Sequence, residues 1–177
     1  EKVEVRAINT VVERDIQEII SNSQIFDAFR GKLILVTGAT GLIGSMVARS
    51  LIAANDAYHL SLRVICHVRN IEKAHHMFSD IVDSDILTFV DTPLESLDIA
   101  CDYIMHGAAP TKSKYFVEHP VDTIRTSIHG TERMLELGKE QKIKGMVYLS
   151  SMEQYGVPYE SGQVMTEDRI GYLDHLN

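Results

Sequence analysis

The chain has 177 residues, a hydrophobic content of 45% and a formal net charge of −8. This length predicts one domain with a substantial buried core. The negative charge argues against nucleic acid or an anionic membrane as the main partner, since both require a basic surface. No apolar stretch of the sequence has the length of a membrane span. The charged N-terminal residues also lack the hydrophobic central region of a signal peptide. We therefore expect a cytoplasmic protein.

Residues 1–31 predict a helical N-terminal extension. Its apolar residues recur at helical spacing: Val12, Ile16, Ile19 and Ile20. Thr10 is a candidate N-cap, and a second short helix is expected over residues 25–29. Because the segment carries no chemical motif, we interpret it as an accessory arm that packs on the main domain, residues 32–177.

From residue 32 onward, strand and helix patterns alternate. The predicted strands are 33–37, 62–68, 86–90, 103–106 and 146–150. The predicted helices are 43–54, 71–79 and 120–140. This alternation predicts an α/β fold with a doubly wound parallel sheet and helices on both faces. The connection between the third and fourth strands is too short for a long helix. Ligands of such sheets bind beyond the carboxyl ends of the strands.

The loop after the first strand carries glycines at positions 38, 41 and 44. Gly38 permits a sharp turn, Gly41 allows close backbone approach, and Gly44 allows tight packing of the next helix on the strand. A pyrophosphate is predicted to bind the free N–H groups at the start of this helix. The buried stripe of the helix is predicted to be Ile43, Val47 and Leu51. The loop lacks the lysine and hydroxyl residue of a P-loop, which argues against an NTPase.

Polar or small residues also follow the other four predicted strands. They are Arg69-Asn70, Asp91-Thr92-Pro93, Gly107-Ala108-Ala109 and Ser150-Ser151. Because parallel strands end at one edge of a sheet, all five strand ends are expected to gather around one crevice. Many NAD sites have an acidic residue that closes the second strand, and here that position is Val68. Arg69 follows it and either pairs with a 2′-phosphate or is a solvated loop residue. Asp91 either accepts a hydrogen bond from adenine or caps the next turn.

The segment after the last predicted strand, residues 150–156, is rich in reactive side chains. A serine hydroxyl here can hydrogen-bond a substrate oxygen, and Glu153 can serve as a base. The segment has no glycine-flanked serine elbow, which argues against nucleophilic acyl chemistry. Cys66 and Cys101 lie far apart in sequence, so we expect buried thiols and no metal site.

The ordered series of these motifs resembles the extended short-chain dehydrogenase/reductases, specifically their NAD-dependent epimerase/dehydratase branch, which acts on nucleotide sugars. The resemblance covers residues 32–177 of the chain. It rests on residues 37–44, Asp91, residues 106–109, Pro120, Gly130-Thr131 and residues 150–156. It implies a Rossmann-like domain that binds NAD(P), with NADP left open by Arg69.

The resemblance also implies individual roles for residues at the strand ends. The residues implied to contact the pyrophosphate of the cofactor are Gly38, Thr40, Gly41, Leu42 and Ile43. Asp91 and Thr92 would hold the adenine side. The path toward the nicotinamide ribose would be lined by Ala108, Ala109 and Thr111. Ser151 falls on the catalytic Ser/Thr of the family, which binds the sugar oxygen that is oxidised.

The pair Met152-Glu153 departs from the family pattern. The 4,6-dehydratases of this branch have an Asp-Glu pair after the catalytic hydroxyl, and the Asp protonates the departing 6-hydroxyl. A thioether cannot supply that proton, whereas Glu153 can still assist proton removal. This departure favours epimerase or decarboxylase chemistry over 4,6-dehydration, with a dehydratase that uses another acid as the remaining alternative. Ser127 also stands where the family usually has an asparagine.

The family's Tyr-x-x-x-Lys pair does not occur in the sequence, since Tyr172 is followed four residues later by Leu176. We therefore expect the N-terminal part of a longer, homodimeric enzyme, inactive by itself and exposing an edge strand after residue 146. The expected substrate is a nucleotide sugar. Two alternatives remain open, namely a non-catalytic dinucleotide sensor and an NADPH-dependent reductase of a small carbonyl compound.

Overall fold

A five-stranded sheet forms the centre of the computed structural model, which describes residues 9–81, 85–111, 113–160, 162 and 164–173. The strands are β1 (Leu33–Thr37), β2 (Arg63–His67), β3 (Leu87–Val90), β4 (Tyr103–His106) and β5 (Gly145–Tyr148). They lie in the order β3-β2-β1-β4-β5, and every pairing along this order is parallel. The order reverses between β1 and β4, which is where a doubly wound sheet opens its ligand crevice.

Helices cover both faces of the sheet, as predicted. The helices are α1 (Thr10–Ile20), α2 (Leu42–Tyr58), α3 (Ile71–Met77), α4 (Ser113–Glu118) and α5 (Pro120–Gln141). Helices α2 and α3 pack on the face that presents Ile34 and Val36, and α5 packs on the face that presents Leu35 and Ile104. A 3-10 helix at Leu94–Ser96 replaces a long helix between β3 and β4. The Rossmann-like fold predicted from the sequence is confirmed.

The N-terminal extension packs against α2 through one face of α1. Ile16 and Ile20 are buried in the same core as the apolar residues of β1 and β2, whereas Ile19 at the margin of that face is exposed. The Tyr58 hydroxyl at the end of α2 donates a hydrogen bond to the Ile20 carbonyl. The second predicted helix is a 3-10 helix over Ser23–Phe29. Residues 9–31 therefore share the core of the main domain.

Three local predictions need correction. The N-cap of α1 is Asn9, whose side chain accepts a hydrogen bond from the Val11 amide at 2.9 Å, so Thr10 is the first helical residue. Ile43 is exposed because it lies in the first turn of α2, ahead of the positions that pack on the sheet. Strand β5 ends at Tyr148, two residues earlier than predicted. None of the described helices is long and apolar enough to cross a membrane.

Candidate functional site

A cavity of about 470 Å³ opens at the carboxyl edge of the sheet. The loops after β1, β2, β3 and β4 line it, together with one residue each from α3 and α5. Among the lining residues are most of the predicted cofactor contacts: Gly38, Thr40, Gly41, Arg69, Asp91, Thr92, Ala108, Ala109 and Thr111. Four of the five predicted strand ends therefore meet at one place.

The N-terminus of α2 lies beside this cavity. The first backbone hydrogen bond of the helix runs from the Ser45 amide to the Gly41 carbonyl at 3.0 Å. The amides of Leu42 and Ile43 therefore have no partner within the helix, and their side chains are exposed. In the part of the chain that the structure describes, no side chain caps Gly41. The positive end of the helix dipole is thus available to an anion in the cavity.

Close backbone packing fixes the shape of the glycine loop. Gly38 has a φ of +71°, and a Cβ at this position would lie 2.5 Å from the Gly107 carbonyl oxygen. A Cβ on Gly44 would overlap the Gly38 carbonyl group. The loop after β1 is therefore in contact with both α2 and the end of β4. A side chain at Gly38 or Gly44 would push these elements apart.

A buried hydrogen-bond network positions the backbone after β4. Thr37 Oγ1 accepts hydrogen bonds from the amides of Gly107 and Ala108, each at 3.2 Å. With its lone pairs engaged in this way, the Thr37 hydroxyl donates to His106 Nδ1 at 2.7 Å. On the other side of the ring, His106 Nε2 lies 3.1 Å from Thr131 Oγ1 of α5. The network ties β1, β4 and α5 together directly beneath the cavity.

The partners of His106 assign its protonation state. The Thr131 hydroxyl donates to the Ser127 carbonyl at 2.7 Å, so Thr131 Oγ1 accepts from His106 Nε2. His106 is therefore neutral and carries its proton on Nε2. Burial, assisted by the neighbouring His67, lowers the pKa of His106 to about 4. The ring remains uncharged at neutral pH and continues to accept the hydrogen bond from the Thr37 hydroxyl.

A second buried histidine fixes the loop after β3. His67 lies opposite Thr37 in the register of β1 and β2, and its Nε2 donates to the Thr92 carbonyl at 2.8 Å. Burial lowers the pKa of His67. Neither His67 nor the ring of His106 was assigned a role from the sequence. Both histidines are polar residues at the end of an otherwise apolar strand, and this pattern could have identified them as candidate site residues.

The cavity also carries four charged side chains. Arg69 and Lys73 supply the positive charges, and Asp91 and Glu95 supply the negative ones. Within the described ranges none of these four takes part in an ion pair. Lys73 was not among the predicted site residues, because the local sequence of α3 does not show which side of the helix faces the cavity.

The two predicted catalytic residues lie outside this cavity. Ser151 and Glu153 follow β5, where a 3-10 helix spans Met152–Tyr155, and both are exposed. Ser151 Oγ accepts a hydrogen bond from the Glu153 amide at 3.3 Å. Strand β5 is at the edge of the sheet and two strands away from the glycine loop. The expectation that all five strand ends line one cavity therefore needs correction, because the structure brings four together.

Comparison with known proteins gives consistent matches. The model of the NAD-dependent epimerase/dehydratase family matches residues 34–172. A dTDP-glucose 4,6-dehydratase of Streptomyces antibioticus is 30% identical over 129 residues, which cover 70% of this chain and 38% of that protein. UDP-glucuronic acid decarboxylase 1 of Arabidopsis thaliana is 30% identical over 139 residues, which cover 75% of this chain and 29% of that protein.

A solved structure has a similar fold. The UDP-glucuronic acid 4-epimerase from Bacillus cereus, in complex with UDP-glucuronic acid and NAD, matches with a TM-score of 0.64 at 22% identity. The match covers 79% of this chain and 46% of that one. The chain thus spans less than half the length of each of these three proteins. Because the family model covers most of the sequence, the resemblance is confirmed, and the chain belongs to the NAD-dependent epimerase/dehydratase family.

Proposed function

We propose that this chain is the dinucleotide-binding part of an NAD(P)-dependent enzyme that acts on a nucleotide sugar through transient oxidation at C4. The observation that carries the proposal is the cavity in which four strand ends meet beside the N-terminus of α2. Its volume of about 470 Å³ lies within the range of roughly 300–1,000 Å³ for small-molecule sites.

The glycine loop fits a pyrophosphate. Gly38 and Gly41 line the cavity without side chains, and Thr40 adds a hydroxyl between them. The amides of Leu42 and Ile43, without partners inside α2, are the donors that we assign to the phosphate oxygens. The helix dipole adds a favourable interaction with negative charge at this point.

The other loops fit the two halves of a dinucleotide. We assign Asp91 and Thr92 to the adenine side, where the hydrogen bond from His67 to the Thr92 carbonyl supports the loop. The residues that we assign to the nicotinamide side are Ala108, Ala109 and Thr111, and they line the same cavity. Small side chains after β4 allow a flat ligand to lie against the backbone, whose position Thr37 fixes.

We assign the chemistry to the segment after β5. Ser151 would orient the sugar hydroxyl that is oxidised, and Glu153 would assist proton removal next to the resulting ketone. The bound NAD(P)+ supplies the hydride acceptor. Met152 has no proton to donate to a departing hydroxyl, which favours epimerisation or decarboxylation over 4,6-dehydration. The proposal includes a nucleotide-sugar substrate and a homodimeric assembly.

Dinucleotide binding to the chain tests the first part of this proposal. Thr40→Asp places a carboxylate between the two glycines, and we expect it to weaken binding of ADP and NAD+ by about tenfold or more through charge repulsion. Thr40→Ser keeps the hydroxyl and should bind like the wild type. Isothermal titration calorimetry measures both, and thermal melting verifies the fold. Equal affinities for the two variants would contradict the assignment of the pyrophosphate to this loop.

Product analysis tests the second part. The intact protein that contains this chain is supplied with UDP-, dTDP- and CDP-sugars, and the products are identified by NMR. We expect an epimerised or a decarboxylated sugar. A 4-keto-6-deoxy sugar would contradict the argument from Met152, and dinucleotide binding without any turnover would favour the non-catalytic sensor.

A further inference from the structure

No acidic residue directly follows β2 at the edge of the cavity. In dinucleotide-binding folds of this kind, an acidic residue closing the second strand binds the ribose hydroxyls of NAD, whereas a nearby arginine accommodates the 2′-phosphate of NADP. Here Val68 follows β2 and is 2% exposed within the core. The next two residues are Arg69 and Asn70, and the Asn70 side chain already accepts a hydrogen bond from the backbone of α3. A ribose diol therefore meets no acidic side chain at this strand end.

Two cations occupy this edge instead. Asn70 Oδ1 accepts a hydrogen bond from the Lys73 amide at 2.7 Å and so caps α3. This cap places Lys73 in the first turn of α3 and Arg69 immediately before the cap. Both side chains line the cavity. Among the described residues neither has a carboxylate within ion-pair distance, although Asp91 lines the same cavity.

We propose that Arg69 and Lys73 form a subsite for the 2′-phosphate on the adenosine ribose, so that this cavity binds NADP(H) in preference to NAD(H). The inference rests on the proposed function and deepens it by naming the dinucleotide. The guanidinium of Arg69 offers a planar fork of donors to a phosphate, and the ammonium of Lys73 supplies a second, flexible charge. Without the phosphate, two unpaired cations would face an uncharged ribose diol.

Equilibrium binding of NADP+ and NAD+ to the full chain tests the proposal, because the two ligands differ by this phosphate alone. We expect the wild type to bind NADP+ about tenfold or more tightly than NAD+. Arg69→Ala and Lys73→Ala should each reduce this ratio, and the double variant should bring it close to one. The matched control is Arg63→Ala, an exposed arginine at the opposite end of β2, which should leave the ratio unchanged.

Phosphorus NMR of NADP+ gives a second readout. We expect the 2′-phosphate resonance to shift and broaden in the presence of the wild-type chain, and to lose this response with the double variant. Equal binding of both dinucleotides, or a preference for NADP+ that survives in the double variant, would overturn the proposed 2′-phosphate subsite. Either result would still be consistent with the proposed dinucleotide site. Binding of neither dinucleotide would overturn the proposed function and the subsite together.

Discussion

At the scale of single residues, the hydrogen bonds of His106 determine how the backbone after β4 is held. The ring is 1% exposed and connects Thr37 to Thr131, so it bridges β1 and α5 through β4. The same Thr37 hydroxyl oxygen accepts hydrogen bonds from the amides of Gly107 and Ala108, which line the proposed path of the cofactor. A charged imidazolium has no lone pair on Nδ1, and protonation would therefore break the bond from Thr37.

This arrangement predicts that the protein loses stability in acid. The unfolded chain protonates His106 near the ordinary pKa of 6.5, whereas in the folded chain burial lowers this pKa to about 4. Between these values the unfolded state binds more protons, so the free energy of unfolding falls as the pH decreases, by about 3 kcal/mol in total. Urea denaturation at a series of pH values measures this dependence.

The variant His106→Asn is the control for the acid effect. It has no titratable group at this position, so its free energy of unfolding should depend less on pH below 6.5, whatever its stability at neutral pH. Part of the dependence should remain, because burial also lowers the pKa of His67. An equally steep dependence in the wild type and in the variant would contradict the assignment to His106.

The sequence predicted residues at the strand ends better than residues on helices. Gly38 and Ala108 could be placed because each lies within two residues of a strand end, and the carboxyl ends of parallel strands share one edge. Lys73 and Thr126 line the same cavity from α3 and α5. Which side of a helix faces a cavity depends on the packing of that helix on the sheet, and the local sequence does not determine this packing.

At the scale of elements, a largely buried ion pair joins Arg49 of α2 to Asp80, three residues after the end of α3. Arg49 and Asp80 are 11% and 9% exposed, and two guanidinium nitrogens contact the two carboxylate oxygens at 2.5 and 2.8 Å. Arg49 also donates to the Met77 carbonyl at 2.6 Å, and its guanidinium lies over the ring of Phe78. The pair therefore holds the C-terminal end of α3 against the middle of α2.

Removal of the arginine should leave a buried carboxylate without a cation. We expect Arg49→Met to lower the free energy of unfolding by about 3–5 kcal/mol. The double variant Arg49→Met, Asp80→Asn should recover much of this loss, because the uncompensated charge is gone. Urea denaturation of the two variants and the wild type measures the difference. A single variant as stable as the double variant would show that the pair contributes nothing through its charge.

The main helices and strands could be predicted from the sequence, whereas the residues at which they begin and end were predicted less accurately. Helix α5 was predicted at residues 120–140 and spans Pro120–Gln141, because Pro120 and a long periodic pattern mark it clearly. The short helix α4 was missed, since six residues carry too little periodicity. Strand β5 begins and ends before its predicted bounds, because pairing with β4 determines its register.

At the scale of the whole molecule, α5 has two apolar faces. One face packs on the sheet through Met134 and Leu137. The other is a stripe of side chains that are between 56% and 60% exposed: Val121, Ile124, Ile128 and Leu135. A helix with a polar outer face would be expected at a surface, and exposed apolar stripes of this kind mark contacts between proteins.

We expect the stripe to pack against a second copy of itself. If two α5 helices lie antiparallel with Ile128 at the two-fold axis, Val121 of one copy faces Leu135 of the other, and Arg125 comes next to Glu132. Such an arrangement buries the same surface on both copies, as a symmetric dimer requires. The exposed edge strand β5, where Val147 is solvent-accessible, is the competing surface.

We therefore expect the chain to form dimers through α5. Ile128→Glu places two carboxylates at the two-fold axis and should yield a monomer, whereas Val147→Glu on β5 should dimerise like the wild type. Sedimentation velocity at a series of concentrations measures the three proteins, and circular dichroism confirms that each is folded. A wild type that stays monomeric at every concentration would contradict self-association altogether. Dimers lost in Val147→Glu but kept in Ile128→Glu would assign the contact to the edge strand, because only a contact on β5 would bury a carboxylate there.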